Sequence, residues 1–260
     1  MTATVVKIGG SMAEDREALT QLAQELSALQ KRGERLLLVH GGGKDISRNL
    51  AWLGQEARFL DGLRVTDAAA MDMVEMTLSG RVNKMLVRLL LSAGAKAAGI
   101  SGVDGGLLRC QPLRPDGTLG YVGAIGGVDV SLLEALWKGG YLPVVSPVSL
   151  GSDFQSWNVN ADQAAADLAC ALGARTLLMV SDVPGVLKDG AIVPQIAIGD
   201  VEDMVADGTA SGGMIPKLRS AAQTVSAGVG SVFIAGWSGP GSLEQILSGK
   251  SGTRLSAAAN

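Results

Sequence analysis

The sequence predicts an α/β protein on a mainly parallel sheet, with helices as the crossovers. Three observations carry this. The first fifty residues run strand, glycine turn, helix, strand, glycine turn, helix, which is the grammar of parallel strands joined through helices. Apolar residues recur in two ways, as short continuous runs and as faces with helical spacing. Finally, 36 glycines stand against 3% aromatic residues, as many tight strand–helix turns require.

The chain is organised around residues 36–44, Leu-Leu-Leu-Val-His-Gly-Gly-Gly-Lys. The first half is an apolar run suited to a buried parallel strand. Gly41, Gly42 and Gly43 follow. Glycines at a strand's carboxyl end permit backbone angles closed to other residues, and they let amide N–H groups approach an anion. A plain strand–helix turn is the alternative, but one or two glycines would serve it.

Thr4–Ile8 reads as the first strand, with Lys7 near its carboxyl end beside Gly9, Gly10 and Ser11. Residues 15–32 read as an amphipathic helix, because Leu19, Leu22, Ala23, Leu26 and Leu29 share one face; Gly33 stops it. Residues 45–53 form the next helix. Residues 59–67 read as a loop ending in a helix start, with Thr66 or Asp67 as N-cap. A long helix covers 68–91, with a break near Gly80. Residues 94–100 are a strand. Residues 107–125, with Pro112, Pro115 and Asp116-Gly117, read as β-hairpins.

A helix over 130–138 and a strand over 141–147 come next. The polar turn Asn158-Val159-Asn160 leads into a helix over 161–172. Thr176–Ser181 is an apolar strand that leaves through Asp182-Val183-Pro184-Gly185. A short helix over Val201–Ala206, a helix over 215–227, a strand over 231–235, a short helix over 243–247 and an edge strand over 252–255 complete the chain. There is no internal repeat or low-complexity linker. If there are two lobes, they join near Gly173-Ala174, giving 1–174 and 175–260.

Composition excludes several classes. The 260 residues are 47% hydrophobic, enough to bury a large core. A net charge of −3 leaves no basic footprint for nucleic acid. No apolar stretch is long enough to span a membrane, and residues 1–8 lack the pattern of a signal peptide. Cys110 and Cys170 are too few for a disulfide framework or a zinc site, and read as two buried thiols in a reducing compartment, here the cytoplasm. No metal-binding motif stands out.

General acid–base chemistry is poorly supplied. His40 is the single histidine, and it reads as a satisfied strand-end residue. Three glycine turns each carry a lysine nearby, Lys7, Lys44 and Lys217, which suits a polyphosphate. A solvated surface charge is the alternative for each. That alternative is weakest for Lys7, which an apolar strand presents where ligands bind in open α/β sheets. Ser248-Gly249-Lys250-Ser251 imitates a P-loop end, but Glu244 stands where the earlier glycine must be. No dinucleotide fingerprint follows the first strand, and no protein-kinase motif set is present.

Five segments occur in one order: Lys7-Ile8-Gly9-Gly10, His40-Gly41-Gly42-Gly43, Gly62-Leu63-Arg64-Val65-Thr66, Asn158-Val159-Asn160-Ala161-Asp162-Gln163 and Gly213-Met214-Ile215-Pro216-Lys217. Together they resemble the amino-acid kinase family, and within it the enzymes that phosphorylate N-acetyl-L-glutamate in arginine biosynthesis. The glycine turns alone would also fit carbamate, aspartate, glutamate or uridylate kinases. The third and fourth are the specific ones.

The resemblance implies a three-layer αβα sandwich with an amino-terminal acceptor lobe and a carboxyl-terminal ATP lobe. It implies that Lys7 and Lys217 stabilise the transferring phosphoryl group and that Asp162 positions both lysines. Gly9, Gly10, Gly42 and Gly43 would offer amides to the phosphoryl group and the acceptor. Arg64 and Asn158 would grip the α-carboxylate, and Asn160 would line the same pocket. Asp182, Val183, Pro184, Gly185, Val186 and Leu187, with Thr209, Ala210 and Ser211, would border ATP carrying Mg²⁺. With six residues before Lys7, a homodimer is expected, with part of the 68–91 helix at its interface, although the Met and Leu side chains there fit an ordinary core equally. Because six residues precede Lys7, insensitivity to arginine is also expected. A sibling kinase of carrier-linked aminoadipate or another small carboxylate, and a non-catalytic ligand sensor, are the alternatives.

Overall fold

A computed structural model describes residues 2–9, 12 and 14–258. Its centre is an eight-stranded sheet. In chain order the strands are β1 (Thr4–Ile8), β2 (Leu36–His40), β3 (Ala97–Ser101), β4 (Leu142–Ser146), β5 (Thr176–Ser181), β6 (Gln195–Ala197), β7 (Ser231–Gly236) and β8 (Thr253–Ser256). Their spatial order is β6-β8-β7-β5-β1-β2-β4-β3. Every neighbouring pair is parallel except β7 with β8. The four strands before residue 174 occupy one half and the four after it the other, meeting where β1 pairs with β5.

The alternation of a pleated strand makes three layers. Val5, Leu37, Val39, Leu177 and Ile234 face one core, shared with α6 (Ala161–Ala171) and α8 (Met214–Ser226). Val6, Leu36, Leu38, Leu178 and Phe233 face the other, shared with α1 (Arg16–Lys31) and α4 (Asn83–Ser92). α1 begins as expected: Asp15 caps it by accepting from the amides of Glu17 and Ala18. Gly33 ends it at φ +86°, where a side chain would be strained.

Several elements differ from the sequence reading. α2 (Gly43–Trp52) starts inside the glycine triplet rather than at Asp45. Residues 59–64 are a hairpin, not a loop: Phe59–Leu60 pairs antiparallel with Leu63–Arg64. Asp61 and Gly62 turn it with φ of 51° and 77°, the left-handed pair a two-residue hairpin needs. The long helix is α3 (Ala68–Glu75), a π-helical segment (Met76–Val82) and α4, so the chain passes Gly80 by widening rather than breaking. β8 is no edge strand, because β6 pairs along its outer side.

A second sheet joins Leu108–Pro112, Gly123–Val128, Val148–Gly151 and Ser156–Asn158. Cys110 is buried and its thiol is pushed up to about 11 by that burial, whereas Cys170 is only half-buried, at the α6 surface beside the Thr224 carbonyl. The remaining helices are α5 (Ser131–Lys138), α7 (Val201–Ala206) and α9 (Ser242–Leu247). No helix among the described residues is long and apolar enough to cross a membrane.

Candidate active site

β1 and β2 end side by side, with Ile8 opposite His40. The Gly41 amide donates to the Ile8 carbonyl at 2.9 Å, so the two glycine turns leave the sheet together. Lys7 bends over Gly9, where a Cβ would stand 2.7 Å from its Nζ. The ammonium meets Asp162 Oδ1 at 2.5 Å. Asp162 lies in the first turn of α6, whose N-cap is Asn160. Asn160 Oδ1 accepts from the Asp162 amide at 2.8 Å, which fixes the turn carrying the carboxylate.

Gly42 is the N-cap of α2 and no side chain caps that end. The first amides of a helix have no intrahelical acceptor and sit at its positive pole, so this end is open to an anion. A Cβ on Gly42 would lie 2.7 Å from Leu78 Cδ2, because the π-helical segment packs directly against the turn. That segment is tied on both sides. Asn49 Nδ2 donates to Thr77 Oγ1 at 2.8 Å, and the Ser79 and Ser146 hydroxyls meet at 2.7 Å.

His40 supports the turn from below. It is fully buried, with Nδ1 2.9 Å from the Gly41 carbonyl and Nε2 3.2 Å from Asn83 Nδ2. Both contacts suit a neutral ring, with Nδ1–H donating and Nε2 accepting. Burial pulls its pKa down to about 4, so the ring is uncharged at neutral pH. It is the satisfied strand-end residue the sequence suggested.

The 59–64 hairpin delivers Arg64. One guanidinium nitrogen, Nη2, donates to the Gly43 carbonyl and to Ser47 Oγ, both at 2.8 Å. The guanidinium stacks over Phe59 at 4.8 Å. Nη1 is buried and, among the described residues, has no partner, and burial lowers the pKa of the group. An unpaired buried donor is costly, and an oxyanion would satisfy it. Asn158 belongs to the same chain of bonds: its Nδ2 donates to Thr66 Oγ1 at 3.0 Å, and that hydroxyl donates to the Arg64 carbonyl at 2.9 Å.

These groups enclose a cleft of about 270 Å³ lined by Lys7, Gly42, Gly43, Arg64, Asn158 and Asp162, among others. Asn160 and Asp162 also border a second cavity, of about 530 Å³, which Lys217 lines as well. Asp162 thus lines one cavity with each lysine. Their attachment differs from the expectation that Asp162 holds both. Among the described residues Asp162 pairs with Lys7 alone, while Lys217 Nζ donates to Ser181 Oγ at 2.8 Å. The reason is topological: α8 enters over the β5 half of the sheet, and Ser181 ends β5 beneath it. Ser181 carries no motif, and sequence reasoning missed it.

The expected nucleotide residues are less convergent. None of 182–187 or 209–211 lines either cavity. The Val186 amide already donates to Thr253 Oγ1 at 2.8 Å, so it is not free for a phosphate. Gly185 is close-packed, since a Cβ there would meet Thr253 Oγ1 at 2.8 Å. Asp182, Val183 and Pro184 follow β5, and Val183 and Pro184 pack on Gly236. Leu187 sits exposed in a small hairpin with Ala191–Ile192. The Thr209 amide bonds Asp207 Oδ1, Ala210 is in the core, and Ser211 is exposed. Gly9 lines the acceptor cleft; Gly10 lies outside the described residues. Lys44 turns to Glu14 at 2.7 Å.

A parallel sheet ending in glycine turns, with lysines and helix N-termini around one cleft, defines an anion-handling α/β protein of the phosphotransferase type. The model of the amino acid kinase family matches residues 2–236, and the chain belongs to that family. The acetylglutamate kinase of Chloroflexus aurantiacus is 45% identical, over 92% of this chain and 93% of that protein. That of Granulibacter bethesdensis is 44% identical over 89% and 82%. A crystal structure from Streptococcus mutans superposes with a TM-score of 0.84 at 30% identity, covering 98% of this chain and 99% of that one.

Proposed function

We propose that this chain transfers the γ-phosphoryl group of ATP to the γ-carboxylate of N-acetyl-L-glutamate, forming N-acetyl-L-glutamyl 5-phosphate in arginine biosynthesis. Its similarity to acetylglutamate kinases along most of both chains supports the reaction. The observation that carries the acceptor site is the buried, unpartnered Nη1 of Arg64 in a small cleft that also holds Lys7.

The chemistry suits this inventory. A γ-carboxylate with pKa near ~4.3 is ionised at neutral pH and needs no general base, so a neutral, buried His40 is no obstacle. A carboxylate oxygen attacks the γ-phosphorus, the bond to the β-phosphate oxygen breaks, and ADP leaves with that electron pair. Catalysis then consists of positioning and charge neutralisation. Arg64 and Asn158 hold the α-carboxylate, and Asn160 lines the pocket. Lys7 and the amides at Gly42 and Gly43 meet the transferring group from the acceptor side, and Lys217 meets it from the nucleotide side. Asp162 keeps Lys7 in place.

The acceptor lobe is 1–174 and the ATP lobe 175–260, with 182–187 and 209–211 bordering the nucleotide. Mg²⁺ would arrive on the ATP phosphates. The working compartment is the cytoplasm. A hydroxylamine trap tests the reaction: acyl hydroxamate should form from ATP and N-acetyl-L-glutamate. Formation only with a different carboxylate would reassign the acceptor.

The same reading carries a homodimer. Met76 and Leu91, 59% and 51% exposed on the 68–92 helical run, supply apolar surface for it. Light scattering should return twice the chain mass; a monomer at micromolar concentration would refute it.

A further inference from the structure

A cavity of about 540 Å³ opens between α1, α2 and α4 and shares no lining residue with the acceptor cleft. Four arginines line it, Arg16, Arg48, Arg81 and Arg88, against two carboxylates, Glu14 and Asp45. The whole chain is net −3, so this positive excess is local. Arg48 is engaged, paired with Asp45 and lying 4.0 Å from Glu14. Arg16, Arg81 and Arg88 form no ion pair among the described residues; Arg81 rests 5.8 Å from the Trp52 ring. Leu19, Val82 and Met85 supply apolar wall between the charges.

Exposed arginines are ordinarily solvated singly or paired. Three unpaired guanidinium groups, one from α1 and two from the π-helical segment and α4 far along the chain, around one concavity are a different arrangement. Guanidinium forks match the oxygens of carboxylates and phosphates, and an apolar wall excludes some of the competing water. We infer that this cavity binds a small polyanion carrying more than one carboxylate or phosphate group. The site is separate from phosphoryl transfer, although Val82 joins the two regions by packing beneath Gly42.

The test is isothermal titration of citrate, and separately of inorganic pyrophosphate, into the full chain without Mg²⁺. At least one probe should bind the wild-type chain, more weakly as salt is added. The double variant Arg16→Ala/Arg88→Ala should weaken that binding about tenfold or more while leaving turnover with ATP and acceptor unchanged. Arg81→Ala, read the same way, keeps the test decisive if the double variant folds poorly. Citrate binding alone would assign the ligand to carboxylates, and pyrophosphate binding alone to phosphates; either supports the site. Absence of binding by both probes at millimolar concentration overturns it. So does binding that survives in the variants and competes with ATP or acceptor. Loss of the dimer in the double variant would also overturn it, by assigning the arginines to a second copy of the chain.

Discussion

Replacing Lys217 by alanine is expected to lower kcat about 10²- to 10³-fold and to leave the acceptor KM within about threefold of wild type. The asymmetry follows from where the side chain stands. Lys217 lines the second cavity and is absent from the cleft that holds Arg64 and Asn158. It therefore contributes little to holding the ground-state acceptor. Its charge matters as the phosphoryl group leaves the nucleotide and negative charge spreads over the transferring and leaving oxygens. Its hydrogen bond to Ser181 gives it a resting position at the end of β5. Ser181→Ala should accordingly cost far less than Lys217→Ala, because the ammonium stays within reach. Steady-state kinetics on both variants check this. Equal losses in kcat and in acceptor affinity for Lys217→Ala would contradict the assigned role.

The sheet was legible because buried parallel strands are written as uninterrupted apolar runs. Thr4–Ile8 and Thr176–Ser181 stand at the positions expected of them, and each ends at a glycine or Asp-Val-Pro-Gly turn. Short strands with few apolar residues were not legible. Val148–Gly151 and Ser156–Asn158 are short, and the second carries a polar sequence whose pairing is set by the sheet it joins. The Phe59–Arg64 hairpin did have a local signal, Asp61-Gly62, but its two-residue arms show no alternation. The π-helical segment adds a residue to the turn without changing residue types, so helical periodicity passes over it. Within the site, the lysines and glycine turns could be argued from residue chemistry and position. The pairing of Arg64 with Asn158 through Thr66 needed the family resemblance to suggest it and the fold to bring residues 64 and 158 together.

Arg64→Lys is the sharper test of the acceptor site, because it keeps the charge and removes the fork. The expected result is an acceptor KM raised about 10²-fold, with kcat falling much less. In the present geometry Nη2 is already spent on Gly43 and Ser47, so only the remaining donors are free for the substrate's carboxylate. A lysine ammonium has a single nitrogen in place of that planar set. It cannot hold the Gly43 carbonyl and the Ser47 hydroxyl and also reach the ligand with a second, fixed nitrogen. Hydrogen bonds to charged groups contribute about 1.5–3 kcal/mol each, and about 1.4 kcal/mol is tenfold in affinity. One lost charged contact with partial compensation therefore sets the expected scale. The position also supports the fold, since Arg64 ties the hairpin to α2. A thermal melt on the same variant separates the two effects: a modest drop in midpoint is compatible with a KM effect measured well below it. An acceptor KM unchanged in a folded Arg64→Lys variant would mean that the α-carboxylate is held elsewhere, and the unpaired Nη1 would then need another acceptor.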